Sequence, residues 1–209
     1  MLGSGRTETL HALAGLDHPE AGEIRLRGQA VPLGAFAAML RRGLGITPEN
    51  RRRDGIVPLM GVDENIVMSD LRQVSRYGVL DRGALRRAAR ALIDRLAIKT
   101  ARPGTPIGTL SGGNQQKAVL ARWLHAGSDV LLLDEPTRGV DVEAKRQIYD
   151  QMRRLTDDGR AVVFVSSEVE ELADVCDRVV VLRGGRAVAE LSGEQIELNR
   201  VLAIAIAEE

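Results

Sequence analysis

Two short stretches carry residue types that are suited to phosphate chemistry. The first places Ser111, Gly112 and Gly113 at the start of a helix-like run. Unpaired N–H groups and the helix dipole at such a start favour an anion. The second is an apolar run that ends in Asp134 and Glu135. A buried strand of this kind delivers a metal ligand and a catalytic base to its carboxyl end, one helix and one turn after the anion site.

A third stretch, at the start of the chain, contains part of a phosphate-binding loop. The pattern G-x-x-x-x-G-K-S/T needs its first glycine five positions before Gly5, which falls ahead of Met1. Arg6 occupies the lysine position, and the Thr7 hydroxyl suits Mg²⁺. By itself such a glycine-serine start is typical of a flexible chain end. Its position relative to Ser111 favours the remainder of a degenerate phosphate loop, whose first strand we expect to be missing.

Composition narrows the possible classes of protein. The 209 residues suffice for one large domain or two small lobes, and the 29 basic and 29 acidic residues give no net charge that would favour nucleic acid. The one cysteine, Cys176, excludes an internal disulfide and fits a reducing compartment. No apolar run is long enough for a membrane span, and no signal peptide is recognisable. We therefore expect a cytosolic protein.

Strand-like and helix-like segments alternate along most of the chain. Helices are predicted over residues 7–16, 33–42, 63–68, 83–96, 142–155, 168–174 and 194–207. Strands are predicted over residues 22–26, 45–47, 129–133, 161–165, 178–182 and 186–191. This alternation predicts an α/β fold with a mostly parallel, doubly wound sheet. Residues 60–103 are nearly all helical by pattern and predict a separate lobe, whereas residues 49–61 predict a polar loop with a solvated basic run at 51–53.

Together these stretches resemble the motifs of the ATP-binding cassette (ABC) family. The resemblance is to the ATP-binding subunit of simple-sugar importers of the ribose, xylose and galactose type, which carries two cassettes in tandem, and this sequence resembles the second. It is carried by residues 3–8, 48–55, 110–117, 134–141 and 165–168. It implies a P-loop NTPase cassette with helices on both faces of the sheet. Residues 1–209 would form one partial domain, with a helical signature lobe over residues 60–126.

The same resemblance assigns expected roles to individual residues, with ATP and Mg²⁺ as cofactors. Glu135 would orient and deprotonate the attacking water. The expected metal ligands are Thr7, Glu49 and Asp134. The expected nucleotide contacts are Gly3, Ser4, Gly5, Arg6, Thr7, Glu8, Ser111, Gly112, Gly113, Gln115, Asp141 and Ser167. Asp141 is also expected to cap the helix that follows it.

The departures from the family pattern fall on one half of the expected site. Arg6 replaces a lysine, Glu49 replaces a glutamine and Ser167 replaces a histidine, and all three positions grip the cassette's own nucleotide. The signature segment around Ser111, which reaches a nucleotide on the opposite cassette, is intact. Our hypothesis is that this chain mainly donates its signature. The implied partners are a second cassette, expected in the same polypeptide, permease subunits and, indirectly, a sugar-binding protein, at the inner face of the membrane.

Two other classes of function stay open at this point, together with a truncated and inactive fragment. One is a non-hydrolysing structural or regulatory cassette. The other is a nucleic-acid ATPase of the same superfamily, which the zero net charge and the absence of heptads or a zinc motif disfavour. Because the missing strand would lie inside the sheet, we expect the isolated chain to be poorly stable and to bind ATP weakly.

Overall fold

The computed structural model describes residues 4–206, so the predicted contact Gly3 lies outside the described residues. The α-helices are α1 (Arg6–Ala14), α2 (Phe36–Arg41), α3 (Val62–Val67), α4 (Arg82–Arg95), α5 (Gly112–His125), α6 (Val142–Asp157), α7 (Val169–Val175) and α8 (Leu198–Ile206). The strands are β1 (Ile24–Leu26), β2 (Gln29–Val31), β3 (Leu44–Thr47), β4 (Ser75–Arg76), β5 (Val79–Leu80), β6 (Val130–Asp134), β7 (Ala161–Val165), β8 (Arg178–Arg183) and β9 (Arg186–Ser192). Short 3-10 turns cover Leu71–Val74, Ile107–Thr109 and Gly193–Gln195, and one π-helical turn covers Arg51–Gly55.

A parallel sheet of β3, β6 and β7, in that order, forms the centre of the fold. Thr47 pairs with Leu133, and Asp134 pairs with Val165, so the three strands end at the same edge. Strand β6 lies between the other two and is almost wholly buried. Helices α1, α5 and α6 contact these strands. The predicted α/β class with a mostly parallel sheet is confirmed, and the loops after the strands meet at one edge, where ligands bind in folds of this kind.

Three antiparallel hairpins, β1–β2, β4–β5 and β8–β9, accompany the parallel sheet. Their two-residue turns are Arg27-Gly28, Tyr77-Gly78 and Gly184-Gly185, and all six φ angles lie between 52° and 79°. Positive φ at both central residues is the type I′ geometry that matches strand twist. The pattern predicts β8 and β9 but not β2, β4 or β5. The turns of β1–β2 and β4–β5 contain arginine and tyrosine, which rarely adopt positive φ. These two turns therefore lack the Asn-Gly signal that usually predicts such a hairpin.

Helices α3, α4 and α5 contact one another, and the predicted division into a separate helical lobe over residues 60–126 stays a prediction. The fully buried Asn65 on α3 donates through its amide to the carbonyl oxygen of Gly61 at 3.0 Å and accepts from the backbone of Val57 at 2.9 Å. Arg122 on α5 donates to the carbonyl oxygen of Asn65 at 2.8 Å, and burial lowers the pKa of Arg122 to about 10. These bonds connect the middle of α5 to the start of the lobe.

A second, smaller apolar core joins α7, α8, β8 and β9. Between β7 and β8 lies an apolar cavity of about 430 Å³, bordered also by α1 and α6. Val163 on β7 and Val180 on β8 are nearly half exposed beside it. Such exposed apolar side chains fit the expectation of poor stability, which stays a prediction. No helix within residues 4–206 combines the length and the apolar character needed to cross a membrane.

One buried carboxylate, that of Glu171 on α7, joins the loops at the edge of the sheet. It accepts hydrogen bonds from the hydroxyls of Thr137 at 2.9 Å and Ser166 at 2.7 Å, and from Lys145 on α6 at 3.0 Å. Burial alone would raise the pKa of Glu171, but the nearby Tyr149 hydroxyl and the three donors outweigh it, and the pKa is lowered. The charged carboxylate therefore fixes the loop after β6 against the loop after β7.

Glu171→Gln should destabilise the chain because a neutral amide satisfies these donors poorly. At pH 7 we expect a loss of about 1–3 kcal/mol in the free energy of unfolding, measured by urea denaturation. The folded-state pKa is lowered, so the stabilisation is complete above the ordinary pKa of 4.5 and is lost as the pH falls through the folded value. The difference in the free energy of unfolding between the wild type and Glu171→Gln should therefore become smaller at acid pH. Glu170→Gln is the control, because Glu170 is the exposed neighbour. Equal losses in the free energy of unfolding in both variants would contradict the stabilising role of Glu171.

Gly45 is required on β3 because the sheet lies close to α5 there. A Cβ atom at this position would lie 2.7 Å from Cγ of Trp123 and 2.9 Å from Oγ of Ser128. Gly45→Ala should therefore lower the free energy of unfolding by about 1–3 kcal/mol in urea denaturation. Gly104→Ala is the matched control, since a Cβ atom there meets nothing within 4 Å. A Gly45→Ala variant as stable as the control would refute this packing constraint.

Candidate nucleotide-binding site

The segment that resembles a phosphate loop packs against the turn between β8 and β9. Gly5 caps α1 with a φ of 86°, and a Cβ atom on it would lie 3.2 Å from Cα of Gly185. The carbonyl oxygen of Ser4 accepts from the backbone N–H of Gly185 at 3.3 Å. Thr7 and Glu8 follow in the first turn of α1, and Glu8 is exposed. The structure therefore places Ser4, Gly5, Thr7 and Glu8 at the start of α1 beside the β8–β9 turn, and their role as nucleotide contacts stays a prediction.

The Arg6 guanidinium faces other residues of its own site. Its Nη1 donates to the carbonyl oxygen of Ser166 at 2.7 Å and lies 3.9 Å from Oε1 of Glu135. Guanidinium is planar and offers several donors, so one side chain can bridge a carbonyl and a carboxylate where a lysine acts as a point charge. In this structure Arg6 links the loops after β6 and β7.

Glu135, the predicted base, has a strained backbone. Its φ of 45° is uncommon for a residue other than glycine, and strain of this kind clusters at functional sites. Its N–H donates to the carbonyl oxygen of Val165 at 3.1 Å, which ties it to the end of β7. The Ser167 hydroxyl donates to Oε2 of Glu135 at 3.2 Å. The structure thus brings together three predicted residues, Arg6, Glu135 and Ser167.

Asp134 presents a buried carboxylate that is available to a metal ion. It is 2 % exposed, and neither of its oxygens has a hydrogen-bond partner among residues 4–206; the buried hydroxyl of Thr47 also has none. Burial raises the pKa of Asp134, and the nearby Thr7 hydroxyl, His11 and Arg6 oppose that rise. Mg²⁺ is typically bound by one or two carboxylates together with substrate phosphates. Asp134 and Thr7 fit this donor set, whereas the described part of the chain contains no cluster of three acidic, histidine or cysteine side chains.

Glu49 and Asp141 each have a structural partner. Glu49, half exposed, forms an ion pair with Arg138 from the loop after β6, so its predicted role as a metal ligand stays a prediction. Asp141 accepts from the N–H of Ala144 at 2.9 Å, which confirms the predicted helix cap. Its side chain stays exposed. The contact of Glu49 with Arg138 carries no signal in the local sequence.

The signature segment opens α5 as predicted. Ser111 precedes the helix and is exposed, and its Oγ accepts from the Asn114 amide at 2.8 Å. A Cβ atom on Gly113 would lie 2.5 Å from Cβ of Ala144 on α6, and one on Gly112 would lie 3.1 Å from the carbonyl oxygen of Gly139. Close packing therefore requires Gly113 independently of any ligand, whereas Gly112 is tightly packed.

Gln115 is buried beside the loop before α5, and its expected role as a nucleotide contact stays a prediction. Its side chain is only 1 % exposed, and its amide donates to the carbonyl oxygens of Leu110 at 3.0 Å and Ile107 at 3.3 Å. The carbonyl oxygen of Ile107 also accepts from the backbone N–H of Leu110 at 3.1 Å, so the glutamine side chain adds a second bond to this turn. In this structure the Gln115 side chain points inward and bonds the backbone of the signature loop.

Arg51 was expected to be solvated, but it contacts the signature helix. Its Nε donates to Oε1 of Gln115 at 3.4 Å and its Nη1 to Oε1 of Gln116 at 3.2 Å. Its Nη2 lies 2.9 Å from the position of a Cβ on Gly112. Burial and then the charge of Arg52 lower the pKa of Arg51. The other two arginines of the run are exposed as predicted, and no local pattern distinguishes Arg51, because its partners lie more than 60 positions away.

Known proteins match this chain over most of its length. The ABC transporter family profile matches residues 2–138. The ribose import ATP-binding protein RbsA 1 of Rubrobacter xylanophilus is 45% identical over 208 residues, which are 99% of this chain and 42% of that protein. The uncharacterized ABC transporter ATP-binding protein YphE of Escherichia coli is 52% identical over 185 residues, which are 88% of this chain and 37% of that protein. The chain thus spans about two-fifths of the length of these relatives.

Solved structures share the fold at lower identity. An ATP-binding cassette of an ABC transporter in its ADP conformation superposes with a TM-score of 0.81 at 19% identity, covering 99% of this chain and 85% of that one. A nucleotide-free cassette gives a TM-score of 0.81 at 18% identity, covering 100% and 86%. The glycine-containing start of α1, the carboxylates at the end of β6 and the glycines at the start of α5 agree with these likenesses. The chain belongs to the ABC transporter family.

Proposed function

We propose that this chain is the ATP-binding cassette of a sugar importer, which couples ATP binding and hydrolysis between two cassettes to uptake through a membrane permease. The ribose import protein that matches 99% of the chain supports this substrate class. A second cassette, permease subunits and, indirectly, a sugar-binding protein are the partners of the proposed assembly. The chain would act on the cytoplasmic face of the membrane.

The role of this chain within the assembly is inferred from a contrast between its signature segment and its phosphate-loop segment. Ser111 is exposed at the open start of α5, where it is accessible to a second cassette. Arg6, in contrast, is bonded to the carbonyl oxygen of Ser166 and lies beside Glu135. We therefore infer that the chain mainly donates its signature segment to ATP held by a partner cassette.

The signature segment can act on developing phosphate charge. The Ser111 hydroxyl and the N–H groups of the first turn, including those of Gly112 and Gly113, are donors at the positive end of the α5 dipole. Such donors stabilise charge that appears in the transition state, and losing one typically costs about 10²–10³ in rate. The exposed Asp141 carboxylate lies on the α6 side of the same surface, because Gly113 packs on Ala144.

The chain's own nucleotide site would support slower chemistry. Asp134 and Thr7 would hold Mg²⁺, which supplies positive charge to the phosphates when bound. Glu135 would accept a proton from water, held in place by Ser167 and by its backbone bond to Val165. The Ser167 hydroxyl carries no positive charge for the terminal phosphate. Arg6 would have to leave Glu135 and Ser166 to reach a nucleotide.

An apolar surface beside the helical lobe supports the permease as a partner. Leu59 is 90% exposed, and Val57, two residues before it, is 40% exposed. Exposed apolar groups of this kind mark interaction surfaces. Val57 is also hydrogen-bonded to Asn65, so this surface is joined directly to the lobe that carries α5.

A non-hydrolysing structural or regulatory cassette is the second candidate function. The engagement of Arg6 by Ser166 and Glu135 favours it, because the phosphate loop is then not free. In this alternative the assembly hydrolyses ATP without help from the signature of this chain. Substitution of the signature serine distinguishes the two candidates.

Ser111→Arg should abolish ATP hydrolysis by the assembled transporter, because the long charged side chain fills the space in front of α5. We expect a fall in kcat of at least about 10²-fold. Glu135→Gln should matter less, because it removes the base of the weaker site. The measurement is steady-state ATP turnover by the complete complex in proteoliposomes.

Ser192→Arg provides the control, since it introduces the same side chain at an exposed serine of β9. Equal losses from Ser111→Arg and Glu135→Gln would reject the asymmetry between the half-sites. Full activity of Ser111→Arg would reject signature donation and favour the structural alternative.

A further inference from the structure

Arg51 lies where the chain that leaves β3 meets the signature helix. Its guanidinium reaches two successive side chains of α5, Gln115 and Gln116, and passes beside Gly112. The nearest carboxylates in sequence are paired elsewhere, Glu49 with Arg138 and Asp54 with Arg53. The contacts that hold Arg51 are therefore those with α5.

The segment around Arg51 is anchored at both ends. The Asn50 side chain accepts from the N–H of Arg53 at 3.1 Å and caps the single π-helical turn Arg51–Gly55. Beyond the turn, Gly55 and Ile56 are buried, and Val57 is bonded to Asn65 of the helical lobe. A side chain projecting from this anchored turn can hold α5 at a set position relative to β3.

The two glutamines transmit this contact to the signature. Nε2 of Gln115 donates to the carbonyl oxygen of Leu110, the residue directly before Ser111. Oε1 of the same side chain accepts from Nε of Arg51. Gln116 gives the guanidinium a second point of attachment on the same helix. Two attachment points restrain the rotation of α5 as well as its position, because a planar fork bonds with a defined orientation.

We propose that Arg51 is a positioning residue of the signature segment, holding the first turn of α5 so that Ser111 and the N–H groups of Gly112 and Gly113 face the partner cassette's nucleotide. This inference rests on the proposed signature donation. It assigns to the segment after β3 a role in hydrolysis at the opposite cassette. The guanidinium beside Gly112 also adds positive charge at the end of α5 that meets phosphate.

The proposal predicts a loss of turnover without a loss of ATP binding. In the assembled transporter, Arg51→Ala should lower kcat by about 10-fold to 100-fold, because small misplacements of transition-state donors have effects of this size. The equilibrium Kd for ATP should stay unchanged, since the partner cassette holds the nucleotide before the cassettes close. Arg51→Lys should restore only part of kcat, because lysine keeps the charge but lacks the fork.

Arg52→Ala is the matched control, as it removes a neighbouring and exposed arginine from the same turn. It should keep the turnover of the wild type. The proposal is overturned if Arg51→Ala keeps wild-type kcat, if Arg52→Ala loses as much, or if ATP binding falls in parallel with kcat. Should Arg51→Ala fail to fold, Arg51→Lys and Gln116→Ala decide: both should reduce kcat, and full turnover in both would overturn the proposal.

Ser111→Arg in the same assay separates the two levels of inference. An active Ser111→Arg transporter means that signature donation itself is wrong, and the role of Arg51 is then wrong with it. An inactive Ser111→Arg transporter combined with a fully active Arg51→Ala transporter overturns only the role of Arg51. Loss of turnover in both, with Arg52→Ala active, supports the proposal.

Discussion

The arrangement of the site depends on a buried carboxylate that has no hydrogen-bond donor among residues 4–206. Asp134 ends the central strand β6, and the strand pairs with β3 and β7 keep it at the carboxyl edge. A buried charge without a partner is costly, and burial therefore raises the pKa of Asp134. The start of α1 opposes this rise in part, through Thr7, His11 and Arg6. The position of Asp134, the proposed Mg²⁺ ligand, is thus a consequence of where the apolar strand ends.

A second carboxylate makes the two neighbouring loops act as one unit. Glu171 is as deeply buried as many core residues, yet it has donors from the loop after β6, the loop after β7 and α6. The next residues along those loops are Arg138, which binds Glu49, and Ser167, which binds Glu135. Fully satisfied buried networks rigidify their surroundings. The strained backbone of Glu135 persists because these neighbours determine its position.

Local pattern predicted the elements whose signals are contained within them. The apolar runs predict β6, β7 and β8, and the serine and two glycines predict the start of α5. The pattern did not predict β2, β4 and β5, because the type I′ turns of their hairpins contain arginine and tyrosine in place of the usual residues. Residues 51–53 have the composition of a solvated run, and composition alone cannot distinguish the one arginine that turns inward.

The sequence by itself determined the fold class, the residues at the carboxyl ends of the strands and the open start of α5, because strand burial and helix starts depend on neighbours a few residues apart. Only the tertiary structure decided what those residues bind. Arg6 turns to Ser166, Gln115 turns inward to Leu110 and to Arg51, and Glu49 turns to Arg138. Most of these partners lie tens of positions apart and meet only when parallel strands bring their loops to one edge. Side-chain direction at the site is therefore a property of the assembled sheet.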